Sequence, residues 1–232
     1  MIGDDIDGIV VVVPVRNEER LLPRCLAALE RAVRRVDVPV RVQLVLDACT
    51  DGSARVAASA EVLTVWERNV GAARRLGFEH AGSGCASETW FATTDADSEV
   101  EPSWLSAQLD YARAGFEVVA GVVAVRQWDA HSARTRRIYE RQYLEHGPEG
   151  HGHVHGAALG FRADAYWGIG GFRALPTGED VDLVARLRAS GAAIAWAGDV
   201  AVTTSARWHG RAPHGFAEHL RRIGRDASRE VS

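Results

Sequence analysis

Cysteine is scarce in this chain: Cys25, Cys49 and Cys85 are the three among 232 residues. Three cannot complete a disulfide framework, and their spacing matches no zinc site. The expectation is a chain with reduced thiols, at home in the cytoplasm. An excess of basic charge is also missing. Lys and Arg number 27 against 31 Asp and Glu, a net charge of -4, which argues against a dedicated nucleic-acid binder. Long apolar runs are absent too. Ile9 to Val15 is interrupted by Pro14 and is far shorter than the ~20 residues that a membrane-spanning helix needs. The opening Met1-Ile2-Gly3-Asp4-Asp5-Ile6-Asp7 is acidic and lacks the basic start of a secretory leader. No internal repeat, low-complexity tract or linker stands out. What remains is an ordinary globular composition, 47% hydrophobic and 25% charged, with length enough for one sizeable core. One domain over residues 1–232 is expected. Association with a membrane surface stays open.

The first half alternates strand-like and helix-like segments. Gly8 to Pro14 is apolar and β-branched, which suits a strand buried on both faces of a parallel sheet, with Pro14 ending it. Asn17-Glu18-Glu19 should open a helix whose apolar stripe is Leu22, Leu26, Leu29, Val33 and Val36. Val40 to Leu46 predicts a second strand ending at Asp47, and Thr50-Asp51-Gly52-Ser53 a turn and cap leading into a helix over Ala54 to Ala60. Val62 to Trp66, Thr89 to Thr94 and Glu117 to Val125 predict further strands. Helices are expected from Asn69-Val70-Gly71-Ala72-Ala73-Arg74 onward and over Pro102 to Ala114. The second half is less regular. It predicts helices over Ala130 to His146 and Asp180 to Ser190, a glycine turn at Gly168 to Phe172, and a terminal helix at Phe216 to Ile223. Short strands are expected at Ala157 to Phe161, Ala193 to Trp196 and Val200 to Thr203. Strands alternating with helices imply an α/β fold with a largely parallel, Rossmann-like sheet.

Ligands of such sheets bind beyond the carboxyl ends of the strands, and polar residues collect there. The successive strands end at Arg16-Asn17-Glu18, at Asp47, at Glu67-Arg68-Asn69, and at Asp95-Ala96-Asp97. Alternate residues of an extended chain point the same way, so Asp95 and Asp97 face one volume. Two hard oxygen ligands beside open positions suit a divalent cation that also holds water and phosphate.

The order of these motifs resembles family 2 glycosyltransferases of the GT-A fold over about residues 8 to 220. The resemblance rests on Val12-Val13-Pro14-Val15-Arg16-Asn17-Glu18-Glu19, Val45-Leu46-Asp47 followed by Thr50-Asp51-Gly52-Ser53, and Asn69-Val70-Gly71-Ala72-Ala73-Arg74. It continues through Asp95-Ala96-Asp97, Gly170-Gly171-Phe172 and Gly178-Glu179-Asp180-Val181-Asp182-Leu183, with Arg186 one helical turn on. It implies an inverting transferase that uses Mg²⁺ or Mn²⁺. Residues 8–125 would form the nucleotide-sugar half, and about 126–223 a smaller acceptor half. Pro14, Asn17 and Glu18 would surround the base and ribose, with Arg16, Asn69 and Ala96 on the same rim. Asp47 would accept a hydrogen bond from the base, and Arg74 would approach the diphosphate or the Asp-x-Asp loop. Asp95 would touch ribose or sugar, Asp97 would hold the metal, and Asp180 would be the catalytic base, with Glu179 beside it. Many members carry two adjacent aspartates where this chain has Asp47-Ala48-Cys49, which weakens base contact there.

Inverting transfer needs a carboxylate to take the acceptor's proton and a cation to neutralise the leaving diphosphate. The start of a helix should disfavour protonation of Asp180 and keep it ready at neutral pH. His209, and less so His214, is a candidate third metal ligand. Arg207 and Arg211 suit a diphosphate clamp. His151, His153 and His155 alternate along an extended segment; acceptor contact by His153, His155 and Gly156 is favoured over zinc, because no fourth ligand is evident. The run Arg134, Arg136, Arg137 and Arg141 fits a solvated face or an anionic acceptor. Trp128, Trp167 and Trp208 fit sugar stacking or packing. The donor is expected to be a UDP-sugar, with GDP-sugar next, and the acceptor small or lipid-linked. Three alternatives stand beside this one: a sugar-nucleotide nucleotidyltransferase, which should show a glycine-rich loop after the first strand; a metal hydrolase built on the three histidines; and a nucleotide-sugar sensor, which should lack Asp180.

Overall fold

A computed structural model of the protein describes residues 6–82, 88–125, 128, 132–144 and 152–204. In chain order the strands are β1 (Gly8–Val15), β2 (Val40–Asp47), β3 (Glu61–Val65), β4 (Thr89–Thr93), β5 (Ser98–Val100), β6 (Val118–Val125), β7 (Leu159–Arg162) and β8 (Ile194–Thr204). The helices are α1 (Leu22–Val33), α2 (Ser53–Val56), α3 (Val70–Ala81), α4 (Trp104–Arg113), α5 (Ala133–Leu144), α6 (Ala163–Gly168) and α7 (Glu179–Ala189). One eight-stranded sheet runs β3-β2-β1-β4-β7-β6-β8-β5. The pairs β3–β2, β2–β1, β1–β4 and β6–β8 are parallel, whereas β7 is antiparallel to both β4 and β6, and β5 to β8. The fold is thus α/β with a mostly parallel central sheet, as the alternation of elements predicts. The strand order reverses at β1, which lies between β2 and β4. A crevice opens beyond the carboxyl ends at such a switch point.

The period-two pattern of β1 feeds two cores. Val11, Val13 and Val15 pack with α1 and α4 on one face, while Val10 and Val12 pack with α3, α6 and α7 on the other. The second core is aromatic. Phe78 stacks on Phe91 at 4.6 Å, and Phe161 on Tyr166 at 5.0 Å. Trp167 meets Phe91 edge-on at 5.8 Å, which assigns it to packing rather than to sugar stacking. Trp128 lies against Tyr139, whose hydroxyl donates to the Val123 carbonyl and fastens α5 to β6. Arg136, Arg137 and Arg141 are exposed and Arg134 half-buried, so that run is largely a solvated face. Cys25 and Cys49 are free thiols, and Cys85 lies outside the described residues. Among the described residues no helix is long and apolar enough to cross a membrane.

Several boundaries differ from the sequence reading, each for a physical reason. Pro14 lies inside β1, opposite Val45, rather than ending it. The ladder to β4 stops at Val12 and Thr93, so no bond on that side requires the N–H that proline lacks. Residues 17–21 form a turn ahead of α1 instead of its first turn, because Asn17 adopts φ 55° and turns the chain. The two short strands expected near the end are one strand, β8. Its register against β6 jumps from Gly121↔Ala197 to Val122↔Ala201, and the bulge imitates a break. Strand β5 and helix α6 were not anticipated; both are shorter than a periodicity window resolves.

Candidate active site

The rim above β1 and β2 is stitched loop to loop. Asn17 Oδ1 accepts the Thr50 N–H at 2.7 Å, and Ser53 Oγ accepts that of Glu18 at 2.8 Å. Asp51 Oδ2 accepts the Glu19 N–H at 3.1 Å, and Glu19 Oε2 accepts that of Gly52 at 2.8 Å. Burial works against ionisation of Asp51, but hydrogen bonds from Ser53 and Glu19 outweigh it and hold its carboxyl below the usual range. The loop after β3 hangs on Asp47, whose two oxygens accept the N–H groups of Arg68 (2.8 Å) and Asn69 (2.9 Å). Asp47 is buried, so its first duty is to the protein's own backbone. Arg16 Nη1 reaches the Arg68 carbonyl at 3.4 Å. The non-glycine residues with positive φ among the described ones are Asn17, Ala48 and Arg68, one beyond each of the first three parallel strands. L-residues hold that conformation at a cost, and such cost concentrates where loops must present groups to a ligand.

Asn69 caps α3, its Oδ1 accepting the Ala72 N–H at 2.9 Å while its amide donates to the Leu175 carbonyl at 2.8 Å. One turn on, Arg74 is 2% exposed and lies between the two acidic pairs. Its Nη2 donates to Asp95 Oδ1 at 2.7 Å and its Nη1 to Glu179 Oε1 at 2.5 Å. The ring of Phe172 lies 5.4 Å from the guanidinium carbon. Gly156 packs flush against the guanidinium, and a Cβ there would come within 2.5 Å of Nη2. Gly71 is needed for a similar reason, since a Cβ would stand 2.2 Å from the Arg173 carbonyl oxygen. Arg186 clasps the glycine turn that presents Phe172, donating to the carbonyls of Ile169 (2.9 Å) and Gly171 (2.7 Å) while its Nε bonds Asp182 at 2.8 Å.

Asp180 starts the helix beside Glu179. Its Oδ2 accepts the Gly156 N–H at 2.7 Å and its Oδ1 that of Val181 at 2.8 Å. The expectation of a low pKa does not hold. Burial and the charge of Glu179 push its carboxyl above the ordinary value, against the pull of Arg74 and the two N–H groups. Desolvation therefore outweighs the helix terminus here. Glu179 is buried and ion-paired with Arg74. Burial lowers the Arg74 pKa, but Asp95, Glu179 and Asp180 outweigh it and keep the guanidinium charged. Asp95 is pushed up by burial and by the charges of Asp97 and Glu179, although Arg74 opposes this.

Asp95 and Asp97 are hard oxygen donors of the kind that a divalent cation takes. Asp97, half-buried, accepts a bond from Ser98 Oγ at 3.3 Å, and the Asp95 side chain is 39% exposed. Each carboxylate has lone pairs beyond those already engaged, and Asp95 and Asp97 would be the holders. Among the described residues no group of three or more His, Cys, Asp or Glu forms a metal cage, so such a cation would draw its other ligands from phosphate and water. Asp95 to Ser98 form a turn closed by the Ser98 N–H on the Asp95 carbonyl at 3.0 Å, so the extended alternation expected to align Asp95 with Asp97 does not hold; Glu99, half-buried, follows in β5. The Cys25 thiol beneath it donates to the Asp95 carbonyl at 3.5 Å, and burial followed by the charges of Asp97, Asp95, Glu18 and Glu99 raises its pKa. Strand β8 ends at Thr204, whose hydroxyl accepts from Ser98 Oγ at 2.9 Å, next to Asp97. Arg207, Trp208, His209, Arg211, His214 and the expected terminal helix lie outside the described residues, as does His151.

The structure thus brings Asp95, Arg74, Glu179, Asp180 and Gly156 into one connected group, with Asp97 beside it. Pro14, Arg16, Asn17, Glu18, Asp47 and Asn69 line the adjoining rim. Sequence reasoning missed the Gly156 N–H as a partner of Asp180, the Phe172 ring under Arg74, and Ser98 and Glu99. Gly170-Gly171-Phe172 was the available signal for the second; Ser98 and Glu99 follow a turn at Ala96-Asp97 that interrupts any strand period.

Comparison with known proteins bears on the family and the fold. A family-wide sequence profile, glycosyl transferase family 2, matches residues 10–170. Undecaprenyl-phosphate 4-deoxy-4-formamido-L-arabinose transferase of Pectobacterium carotovorum is 32% identical over 133 residues, 53% of this chain and 39% of that protein. The Pseudomonas aeruginosa protein of the same name is 33% identical over 131 residues, 53% of this chain and 37% of that one. The chain thus spans well under half the length of these relatives. Among solved structures, S. aureus TarS 1–349 in complex with UDP-GlcNAc aligns with a TM-score of 0.65 at 15% identity, covering 96% of this chain and 66% of that one. The mannosyltransferase PcManGT from Pyrobaculum calidifontis, in complex with GDP-Man and Mn²⁺, aligns at 0.62 with 18% identity, covering 97% and 64%. The structural likenesses speak for a shared GT-A fold, and the profile match over most of the chain places this protein in glycosyltransferase family 2.

Proposed function

We propose that the protein is a metal-dependent inverting glycosyltransferase that moves a sugar from a nucleoside-diphosphate sugar to a hydroxyl of a small or lipid-linked acceptor. The observation that carries this reading is the buried Arg74, which ties Asp95 to Glu179 and supports assigning the donor-side and base-side carboxylates to one site. UDP-sugar is the favoured donor and GDP-sugar the next, in keeping with the nucleotide sugars held by TarS and PcManGT. A lipid-phosphate acceptor draws support from the name shared by the two relatives. The proposed site is a cytoplasmic one.

In this reading residues 8–125 bind the donor and residues 126–223 the acceptor. The rim of Pro14, Arg16, Asn17, Glu18, Asp47 and Asn69 receives the nucleotide, with Ala96 between the two acidic residues of the strand end. Asp95 and Asp97 would hold Mg²⁺ or Mn²⁺, with His209 as a candidate third ligand and Arg207 and Arg211 as candidates for a diphosphate clamp. When bound, the cation neutralises charge on the departing diphosphate. Asp180 takes the proton of the acceptor hydroxyl, and the freed oxygen attacks the anomeric carbon from the face opposite the diphosphate. The carbon–oxygen bond to the diphosphate breaks and its electron pair leaves with the nucleotide. General base catalysis of this kind contributes roughly 10²–10⁴-fold. Burial raises the proton affinity of Asp180, which makes it the stronger base once ionised.

The nucleotidyltransferase alternative fits less well, because the loop after β1 is Arg16-Asn17-Glu18-Glu19, a stitched turn without glycine. Calorimetry with UDP and GDP, with and without Mn²⁺, tests the proposal. Binding should require the metal and be abolished in Asp97→Ala; metal-independent binding by that variant would remove Asp97 from the site.

A further inference from the structure

The start of α3 does more than lead to Arg74. Asn69 caps that helix, and a cap needs only an acceptor for the Ala72 N–H, a task that Ser, Asp and Asn perform about equally well. Only asparagine adds amide N–H donors to that acceptor. The Asn69 amide donates to the Leu175 carbonyl at 2.8 Å, on a part of the chain far away in sequence. The two partners fix the orientation of the amide, because an N–H meets its oxygen and a carbonyl meets its nitrogen. The backbone of Asn69 serves the other side. Its N–H donates to Asp47 at 2.9 Å, beside that of Arg68 at 2.8 Å. The residue thus belongs to the rim by its main chain and to the segment before α7 by its side chain.

That segment needs anchors. Residues 173–178 belong to no helix or strand, and Arg173, Ala174, Pro176 and Thr177 are exposed. An irregular, exposed stretch keeps its conformational freedom unless something fixes it. Two residues at the start of α3 meet it. Besides the Asn69 amide, Gly71 packs so closely that a Cβ there would stand 2.2 Å from the Arg173 carbonyl oxygen and 3.1 Å from Cβ of Glu179. The segment ends at Gly178, whose φ of 73° turns the chain into α7. Glu179 and Asp180 follow at once, so a shift of the Leu175 carbonyl is passed on to Asp180. Asp47, Asn69 and Leu175 form a relay from the end of β2 to the start of α7, separate from the guanidinium that joins Asp95 to Glu179.

We propose that Asn69 is the positioning residue that registers Asp180 to the nucleotide rim, through the bond of its amide to the Leu175 carbonyl. This rests on the transferase reading above and deepens it. A donor seated beyond Asp47 and the carboxylate that deprotonates the acceptor then share one frame, set at the start of α3. Transfer is sensitive to small misplacements of the reacting groups. The relay holds their separation constant, and the Asn69 side chain touches neither substrate in doing so.

Asn69→Ser separates the two duties, because serine keeps a neutral cap for α3 and its shorter side chain lacks the reach to Leu175. Amide hydrogen exchange of the free, full chain is read first. Exchange over residues 173–182 should quicken at least tenfold, while residues 17–19, 50–53 and 72–81 stay within twofold of the parent. Unchanged exchange over 173–182 overturns the proposal. So does exchange that quickens equally throughout α3, which would leave Asn69 a cap alone. Ligand is read second, with UDP and with GDP, each supplied with Mn²⁺. The nucleotide that binds should slow exchange over 173–182 in the parent and not in the variant, with its calorimetric affinity unchanged within twofold. Turnover is read third, as hydrolysis by water of UDP-GlcNAc or GDP-Man, the donors held by TarS and PcManGT. The variant should lose at least tenfold in kcat and keep KM for the donor within twofold. A raised KM with kcat kept would make Asn69 a donor contact and overturn the proposal. Gly71→Ala, which pushes on the Arg173 carbonyl, should give the same split between kcat and KM. If neither nucleotide binds the parent protein, the transferase reading fails, while exchange in the free chain still decides whether Asn69 holds the segment before α7.

Discussion

Between residues 17–19 and 50–53, five hydrogen bonds cross from loop to loop, four of them involving a backbone group. Between Asp95 and Glu179, far apart in sequence, the link is one guanidinium. The rim beyond β1 and β2 is held by many modest bonds of which any one can be lost. Asp95 and Glu179 are joined through a single buried cation. Redundancy suits a surface that must keep its shape. A single shared partner suits two groups whose separation must not drift, because catalysis is sensitive to misplacements of about 1 Å.

The widest break in this comparison is expected from Asp180→Asn. Transfer should fall by about 10²–10⁴-fold, while donor affinity measured by calorimetry stays put. Retained turnover would remove Asp180 from the role of base. The same residue predicts a pH profile. Protonated Asp180 cannot accept a proton, and its pKa is raised, so kcat/KM should climb with pH through a midpoint above the ordinary ~3.9 of aspartate.

Next comes Arg74→Ala, which leaves Glu179 buried without its partner. A loss of about 3–5 kcal/mol in urea unfolding is expected. Arg74→Lys should lose less stability, yet still lose turnover, because an ammonium cannot fork between Asp95 and Glu179. Equal behaviour of both variants would mean that charge alone matters.

The rim should give way more gently. Asn17→Ala removes the bond to the Thr50 N–H and keeps an L-residue at positive φ, for a cost of about 1–2 kcal/mol. Asn17→Gly loses the same bond without the strain, so the gap between the two variants isolates the backbone contribution. Both should weaken donor binding and spare turnover of bound donor.

The smallest effect has the opposite sign. Ala48 at φ 49° carries strain of about 1–2 kcal/mol, of which glycine gives back about 0.4–1 through the freedom of the unfolded chain. Ala48→Gly should therefore raise stability by about 0.5–1 kcal/mol in the same urea assay.

The legible part of the fold was the half that repeats a simple rule. Val10 to Val13 are β-branched without interruption because both faces of β1 are covered, and that pattern is visible without coordinates. The bulge in β8 was not legible, since a break in pairing and a break between strands look alike in a string of letters. The candidate site divides in the same way. Asp95-Ala96-Asp97 and Glu179-Asp180 could be singled out by type and spacing. The allocation of Glu179 to Arg74 and of Asp180 to the Gly156 N–H could not, because it depends on which of two neighbouring carboxylates meets a helix more than a hundred residues away. The raised pKa of Asp180 was missed for a related cause: burial is a property of the packed chain, whereas the helix terminus is visible in the sequence.

Cys25 gives the molecule its own stopwatch. The residue is 1% exposed, and its thiol reaches from α1 to the carbonyl of Asp95. A thiol reagent reaches it only when that helix and the strand end part company. The speed of alkylation at Cys25 thus times the parting of α1 from the turn at Asp95.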